Sequence, residues 1–178
     1  MEKVIGYKTF NKGLITQQGN KLELDKLYEI KETPIFRKQG YHMCENIEDT
    51  LRYFDCNNID ICRAEGYPQI LKSQDEYNGT GEIYCCQKIL LTHLLTRKEI
   101  IEEAKKMYNP FRFYTFIASF PLTEEEKKYF MEKYINEEWM LPNLIYRFYD
   151  KKIFDNKQIN YKEIAKQYIR RKKWKYII

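Results

Sequence analysis

The pattern of hydrophobic and polar residues divides the chain into a strand-like first half and a helix-like second half. In "KVIGYKTF", residues 3–10, successive side chains alternate between two unlike faces, as on a β-strand. One face carries Val4, Gly6 and Lys8, and the other carries Ile5, Tyr7 and Thr9. Further strands are predicted at residues 27–30, 34–38, 59–71 and 83–91, which are separated by Gly, Pro and Asn turn residues.

The stretch "KQGYHMCENIEDTLRYFD", residues 38–55, predicts a turn, a short extended segment and a short helix. Gly40 supplies the bend, and Asn46 is a suitable N-cap for a helix that reaches about Phe54, with Asp49 at its third position. In the extended segment Tyr41 and Met43 share one face, and His42 and Cys44 share the other. The pattern therefore indicates architecture, with His42 left unexplained.

Helix signals dominate from Thr96 onwards. "TRKE" at 96–99 and "TEEE" at 123–126 match the capping box, in which a threonine and a glutamate three residues later satisfy free amides at a helix start. Helices are predicted over about 97–107, 124–136 and 161–175. The aromatic run "FRFYTFIASF", residues 111–120, favours one more strand, and residues 141–154 fit either a helix or a strand.

These elements predict an α+β protein with a β-rich N-terminal half, which contains one short helix, and a helical, basic C-terminal half. The predicted organisation is a β-rich scaffold domain over residues 1–96 and a helical basic region over residues 97–178. The second region is either separate or packed on the first as a single domain.

Composition narrows the class of protein. Hydrophobic residues make up 43 % of the 178 residues, which is enough for a packed core. Neither a secretory signal nor an apolar run of membrane-spanning length is found in the sequence. The five cysteines are odd in number and irregularly spaced, which is typical of reduced thiols. We therefore expect a cytoplasmic protein that has no membrane partner.

The charge is unevenly distributed along the chain. Residues 97–178 hold 19 basic and 12 acidic residues, a net charge of +7, whereas residues 1–96 hold 12 basic and 14 acidic residues, a net charge of −2. The C-terminal segment mixes cations with aromatic rings, a combination that neutralises phosphates and stacks on unpaired bases. The candidate binding residues are Tyr168, Arg170, Arg171, Lys172, Lys173, Trp174 and Lys175. The extension of this basic surface, if the helices bring the residues together, consists of Lys105, Lys106, Arg112, Lys151 and Lys152.

Several short motifs of the first half resemble one family. Their order is that found in an uncharacterised domain of phage and prophage proteins. The motifs are "GYKTF" at 6–10, "KLYEI" at 26–30, "GYHMCENIEDTLRYFD" at 40–55 and "CRAEGY" at 62–67, followed by "CCQKILL" and "RKEII". The resemblance covers about residues 4–102, and its Gly-Tyr-His-x-Cys-Glu block is the most specific part. It implies a phage or mobile-element setting and no established activity.

Candidate chemistry is sparse. The cysteines and His42 lack the paired Cys-x-x-Cys spacing of structural zinc sites, and adjacent Cys85 and Cys86 point to opposite faces of a strand, so neither a metal nor another cofactor is predicted. If the protein is an enzyme, Tyr7, His42 and Glu65 on separate strands are the candidate catalytic residues. Such a set is similar to that of some ADP-ribosyltransferases, but that family's Ser-Thr-Ser strand and Glu-x-Glu motif are missing. A Cys44–His93 nucleophile pair is a second option.

The expected function is that of a non-enzymatic phage or mobile-element protein that acts through its basic, aromatic C-terminal surface. Its expected partner is a host nucleoprotein or an acidic protein surface, with RNA or DNA as a further option. An anti-CRISPR-type inhibitor is the most specific hypothesis, since the channel of a nucleic-acid-guided nuclease carries matching negative charge. The alternatives are an enzyme that modifies a host target and a plain RNA- or DNA-binding regulator.

Overall fold

The computed structural model describes residues 3–51, 54, 56–74, 81–107, 109–149 and 160–170. The predicted α+β class is confirmed, with the strands in the first half and most of the helices in the second. The strands are β1 (Val4–Asn11), β2 (Leu27–Glu29), β3 (Tyr41–Cys44), β4 (Ile59–Gln74) and β5 (Glu82–Leu94). The helices are α1 (Ile47–Leu51), α2 (Arg97–Lys105), α3 (Pro110–Ser119), α4 (Glu124–Lys133), α5 (Met140–Phe148) and α6 (Tyr161–Arg170).

The antiparallel sheet closes on itself. Strand β1 pairs with β3 on one edge and with β4 on the other, and β5 pairs with both β3 and β4. These four strands form a ring, and β2 adds to the same edge of β5 that β3 uses. Ring closure removes most exposed strand edges, and it gives the sheet an inside and an outside.

The interior of this small barrel is a core of its own. Its buried side chains are Val4, Phe10, Leu22, Met43, Cys62, Ala64, Tyr84, Cys86, Ile89 and Leu91. The packing is tight enough that a Cβ atom on Gly66 would overlap the sulfur of Cys86, so glycine is required at this position. Two inward-facing cysteines therefore act as small apolar side chains.

The turn that precedes β3 differs in part from the prediction. Residues 34–38 form a turn closed by a bridge between Ile35 and Gln39, and the strand predicted there is wrong. Arg37 has a φ of 61° and Gly40 has a φ of 116°, values that an extended strand does not allow. The predicted faces of the next segment are confirmed, because Tyr41 and Met43 pack in the barrel core.

Strands β1 and β3 pair at a single position, Tyr7 with Cys44. Beyond it, the amide of Thr9 donates to the hydroxyl of Thr50 at 3.0 Å, and the carbonyl of His42 accepts from the ammonium of Lys8 at 2.6 Å. Side chains from α1 and β1 thus satisfy backbone groups that a longer ladder would have used.

The predicted helix starts are confirmed. Thr96 with Glu99 and Thr123 with Glu126 form complete capping boxes at the starts of α2 and α4. The short helix after Asn46 is also confirmed. The predicted end of the last helix, residues 171–175, lies outside the described residues.

The strand predicted over residues 111–120 is wrong, because this segment forms helix α3. The side chain of Asn109 accepts hydrogen bonds from the amides of Phe111 and Arg112, and Pro110 occupies the first turn. Phe113, Phe116, Ile117 and Phe120 are buried, which is a helical spacing. Burial of this apolar stripe outweighs the β propensity of the aromatic residues. Of residues 141–154, predicted as either helix or strand, those up to Phe148 belong to α5, and residues 150–154 lie outside the described residues.

A second and larger core lies between the outer face of the barrel and the helices. From the first 96 residues it includes Ile47, Leu51, Ile61 and Leu95, and from the remainder it includes Ile101, Phe113, Phe116, Phe130, Leu144 and Tyr168. Both halves of the chain therefore contribute to one continuous apolar cluster. Within the described residues, no helix is long and apolar enough to cross a membrane.

Candidate functional site

Helix α6 presents a row of cations. Lys162, Lys166 and Arg170 are four residues apart and all exposed, so they lie along one side of the helix. None of the three has an ionic partner among the described residues, and Glu163 between them bonds instead through its backbone amide to the side chain of Asn160. Like charges at this spacing destabilise a helix by about 0.2–0.5 kcal/mol per pair, so the row is costly unless a partner neutralises it.

Most other described cations of the helical half are already neutralised. Arg97 forms a two-bond ion pair with Glu126, with N–O distances of 3.0 and 2.6 Å. Lys105, Lys106 and Lys127 each pair with a glutamate on their own helix. Carboxylates of this chain already pair with Lys105, Lys106 and Arg112, so these cations support the predicted extension of the basic surface less than unpaired ones would, while Lys151 and Lys152 lie outside the described residues.

Helix α6 is held to the rest of the protein by its opposite face. Ala165 and Tyr168 are buried, and the Tyr168 hydroxyl donates to the carboxylate of Glu124 at 2.8 Å. Burial, together with this carboxylate, raises the pKa of Tyr168. Tyr168 was predicted to stack on a ligand, but its ring is enclosed by protein and serves as an anchor.

The other predicted binding residues fall into two groups. Arg170 is exposed at the end of α6, in the row described above. Arg171, Lys172, Lys173, Trp174 and Lys175 lie outside the described residues. Residues 171–175 follow Arg170 directly in the sequence, so the predicted cations come immediately after the row on α6.

Exposed aromatic rings occur elsewhere in the helical half. Trp139, just before α5, is 83 % exposed, and Phe111 on α3 is 72 % exposed. Tyr114 and Tyr146 are also exposed. The sequence analysis missed these rings because aromatic residues in helices are more often buried.

The three candidate catalytic residues do not share contacts. The ring of Tyr7 lies under the guanidinium of Arg63, 5.9 Å from its centroid. Burial, and then the nearby carboxylate of Glu103, raises the pKa of Tyr7. Glu65 instead pairs with Lys3 at 2.7 Å and accepts from the hydroxyl of Tyr67.

His42 has a structural role. Its Nε2 atom accepts a hydrogen bond from the backbone amide of Arg37 at 2.9 Å, and its ring lies near Phe36. Burial, and then the nearby Lys8, lowers the pKa of His42 and keeps the ring neutral. The residue that the sequence left unexplained therefore supports the left-handed turn at Arg37.

The cysteines are buried, reduced thiols. Burial raises the pKa of Cys62 and of Cys86 to about 12, which makes both thiols poor nucleophiles and poor metal ligands. Within the described residues, no three His, Cys, Asp or Glu side chains are close enough together to hold a metal ion. Cys44 is buried in the sheet while His93 is exposed, and no contact is seen between them.

A polar groove that the sequence analysis missed lies where α2 crosses β4 and β5. It has a volume of about 450 Å³ and is lined by Arg63, His93, Glu99 and Glu103, among others. His93 contacts Glu99 at 2.8 Å, and Arg63 contacts Glu103 at 2.9 Å. Hydrogen bonds from Thr96, and then from His93, lower the pKa of Glu99 to about 2. Both contacts are exposed to solvent and join α2 to the barrel.

Comparisons with known proteins bear on the first half of the chain. No curated protein and no solved structure matches the chain. A model of a family described as a domain of unknown function, DUF7666, matches residues 4–103. This span agrees with the predicted uncharacterised domain, whose phage setting stays a prediction. The chain belongs to the DUF7666 family.

Proposed function

We propose that this protein is a non-enzymatic binder of nucleic acid, either free or within a host nucleoprotein. Its contact surface is the exposed side of α6, continued by the basic and aromatic residues that follow it. The barrel and the inner helices act as a scaffold that holds α6 in place. In the most specific form of the proposal, the protein comes from a phage or mobile element and inhibits a nucleic-acid-guided nuclease of the host, as anti-CRISPR proteins do.

The unpaired row of Lys162, Lys166 and Arg170 is the observation that carries this proposal. Cations that bind phosphate release counterions from the nucleic acid, which is the main source of sequence-independent affinity. Such cations must be free of carboxylates of their own chain. Among the described basic residues of the helical half, the row on α6 meets this condition, while most of the others do not.

The proposal is tested by reversing the charge of this row. We expect the variant Lys162→Glu/Lys166→Glu/Arg170→Glu to bind a labelled oligonucleotide at least about tenfold more weakly in 100 mM salt. The slope of log K against log salt should become shallower by about 2–3, because each phosphate contact contributes about 0.7–0.9 to the slope. Fluorescence anisotropy at several salt concentrations measures both quantities, and circular dichroism verifies that the variant is folded.

A matched control reverses three exposed lysines of the barrel loops, Lys21→Glu/Lys31→Glu/Lys38→Glu. It changes the net charge by the same amount and should leave both the affinity and the salt slope nearly unchanged. Equal losses in the two variants would show that only net charge matters, and unaltered binding by the α6 variant would refute the proposed surface.

The alternatives predict different results. A plain nucleic-acid-binding regulator binds bare RNA or DNA, whereas a nuclease inhibitor binds the assembled nucleoprotein more tightly than either of its parts. An enzyme that modifies a host target would transfer label from NAD to a host protein, and the transfer would be lost in Glu65→Gln. The separate contacts of Tyr7, His42 and Glu65 give this enzyme alternative less support than the α6 row gives the binder.

A further inference from the structure

A cleft lies beside the start of α6. It has a volume of about 630 Å³, and the turn between α4 and α5 forms one side while the first turn of α6 forms the other. Its apolar walls include Leu141, Pro142 and Tyr161. This volume is within the range of about 300–1,000 Å³ that is usual for small-molecule sites.

The polar groups of the cleft are of both signs. Glu137 and Glu138 lie on the side of the α4–α5 turn, and Lys162, the first cation of the α6 row, lies on the other side. No ion pair joins Lys162 to either glutamate. The cleft thus has carboxylate acceptors on one side. On the other side it has Lys162, from which the row of cations continues along α6.

Trp139 follows Glu138, a residue of the cleft wall, in the chain and exposes 83 % of its surface. It lies directly between Glu138 and the first residue of α5, and its backbone carbonyl accepts from the side-chain amide of Asn143 at 2.8 Å. The backbone is therefore held in place while the ring faces solvent. A large aromatic ring that is left uncovered in this way loses the free energy that burial would provide, unless a ligand covers it.

These groups together select one kind of ligand. Apolar walls that include the ring of Tyr161, with an exposed indole one residue along the chain, offer contacts to the faces of a planar ring. Carboxylates accept hydrogen bonds from an amino group on its edge, and the α6 cations neutralise an attached phosphate chain. An unpaired nucleobase within a single strand has all three features. In a duplex the faces and the Watson–Crick edge of each base are already occupied.

We propose that the cleft binds one unpaired nucleobase that carries an exocyclic amino group, from a single strand whose phosphates follow α6. The base stacks on Trp139 or on the apolar walls, and Glu137 or Glu138 accepts a hydrogen bond from its amino group. This inference rests on the proposed function, and it adds a preference for single strands and for adenine, cytosine or guanine over thymine or uracil, which have no amino group.

The test uses the full wild-type chain beside Trp139→Phe, and the signal of Trp139 is the difference between the two, because the sequence contains two tryptophans. Oligonucleotides of about 12 residues, oligo(dC), oligo(dA), oligo(dT) and a mixed duplex, are titrated while the fluorescence of Trp139 is recorded. We expect oligo(dC) and oligo(dA) to quench the fluorescence and to bind at least about fivefold more tightly than oligo(dT), as a hydrogen-bonded base contact of about 1–3 kcal/mol implies.

Two further variants assign the effect to the cleft. Trp139→Ala should weaken binding of oligo(dC) about tenfold, the usual cost of losing one base stack. Glu137→Gln/Glu138→Gln should reduce the preference of oligo(dC) over oligo(dT) to less than about twofold. The matched control is Phe111→Ala, which removes a comparably exposed ring on α3, a helix that contributes no residue to the cleft wall, and should bind like the wild type.

The possible failures are distinguishable. If charge reversal on α6 abolishes binding while Trp139 shows no response and oligo(dC), oligo(dT) and duplex bind equally, the cleft inference is wrong and the proposed function stands. If nucleic acid binds neither free nor within a nucleoprotein, the proposed function fails and the inference fails with it. Quenching of Trp139 by an oligo-arginine peptide and not by oligonucleotides would assign the cleft to a cationic protein segment and overturn the inference.

Discussion

Lys8 places a positive charge in an unfavourable position. Its ammonium donates to the carbonyl of His42 and lies 5.5 Å from the centroid of the Phe10 ring, with no carboxylate partner among the described residues. Burial lowers the pKa of Lys8 to about 8. Because the folded protein favours the neutral amine more than the unfolded chain does, the charge of Lys8 costs stability at neutral pH.

This cost predicts how stability depends on pH. Between about pH 8 and the ordinary lysine pKa of 10.5, the unfolded chain binds more protons at Lys8 than the folded protein does, so this residue makes stability rise with pH. We expect the free energy of unfolding of the wild type, relative to Lys8→Met, to increase by about 1.5 kcal/mol from pH 7.5 to pH 9.5. Urea titrations of both proteins at the two pH values measure this difference.

The comparison between the two proteins is needed because other groups titrate in the same range. Buried thiols such as Cys62 and Cys86, which have a raised pKa, make stability fall above pH 9 in both proteins, and the difference cancels their contribution. A Lys8→Arg variant, which keeps its charge over the whole range, should show the same pH dependence as Lys8→Met. Parallel pH profiles for the wild type and Lys8→Met would contradict the assignment to Lys8.

The sequence predicts the surroundings of individual residues such as Lys8 only in part. Alternation correctly placed Lys8 on the same face of β1 as Val4, but it did not reveal that this face is the inside of a closed barrel. Closure depends on pairing between β1 and β3, whose partners are more than thirty residues apart. In the same way, the sequence placed Tyr168 in the last predicted helix as a candidate binding residue, and only its packing against other helices showed that the ring is buried.

At the scale of elements, one ion pair connects the short helix α1 to α3. The guanidinium of Arg112 bonds to both carboxylate oxygens of Glu48, which is fully buried, and to the side-chain oxygen of Asn46 at 2.7 Å. Every residue of α1 is buried, so a helix of five residues depends on such tertiary contacts for its stability.

Removal of this cation should be costly. We expect Arg112→Met to lower the free energy of unfolding by about 3 kcal/mol, because it leaves the carboxylate of Glu48 buried without a partner. The double variant Arg112→Met/Glu48→Gln should recover part of this loss, which a double-mutant cycle in urea measures.

The control for this prediction is Arg97→Met, which breaks the exposed ion pair with Glu126. Exposed pairs contribute at most about 1 kcal/mol, so this variant should remain close to the wild type. Similar losses at Arg112 and Arg97 would show that burial of Glu48 does not determine the cost.

Local signals predicted the elements where one signal dominated. The capping boxes at Thr96 and Thr123 identified two helix starts to the residue. The strand prediction over 111–120 failed because it weighed aromatic β propensity above the Asn109-Pro110 start signal and the helical spacing of Phe113 and Phe116. The unpaired row on α6 was visible as spacing, but its importance depends on which other cations are already neutralised, and that is a tertiary property.

At the scale of the whole molecule, the barrel and the helices depend on each other. The family match ends at residue 103, within α2, yet the apolar cluster on the outside of the barrel continues into α3, α4 and α5. Ile47, Leu51, Ile100 and Ile101 would lose much of their cover if the later helices were absent. Residues 4–103 of this chain therefore present an apolar face that other parts of the protein must cover.

A fragment ending at residue 107 tests this dependence. We expect it to expose the outer apolar face of the barrel, to bind a hydrophobic dye and to unfold at a lower urea concentration than the full chain, because it loses burial worth about 25 cal/mol per Å². In the full chain, Phe113→Ala should cost about 3–5 kcal/mol by the same loss of packing, without any truncation. A fragment as stable as the full chain, with no dye binding, would instead mean that the barrel interior alone stabilises the DUF7666 fold. The helical half would then contribute the α6 row without stabilising the barrel, and loss of nucleic-acid binding would not change the free energy of unfolding of the barrel.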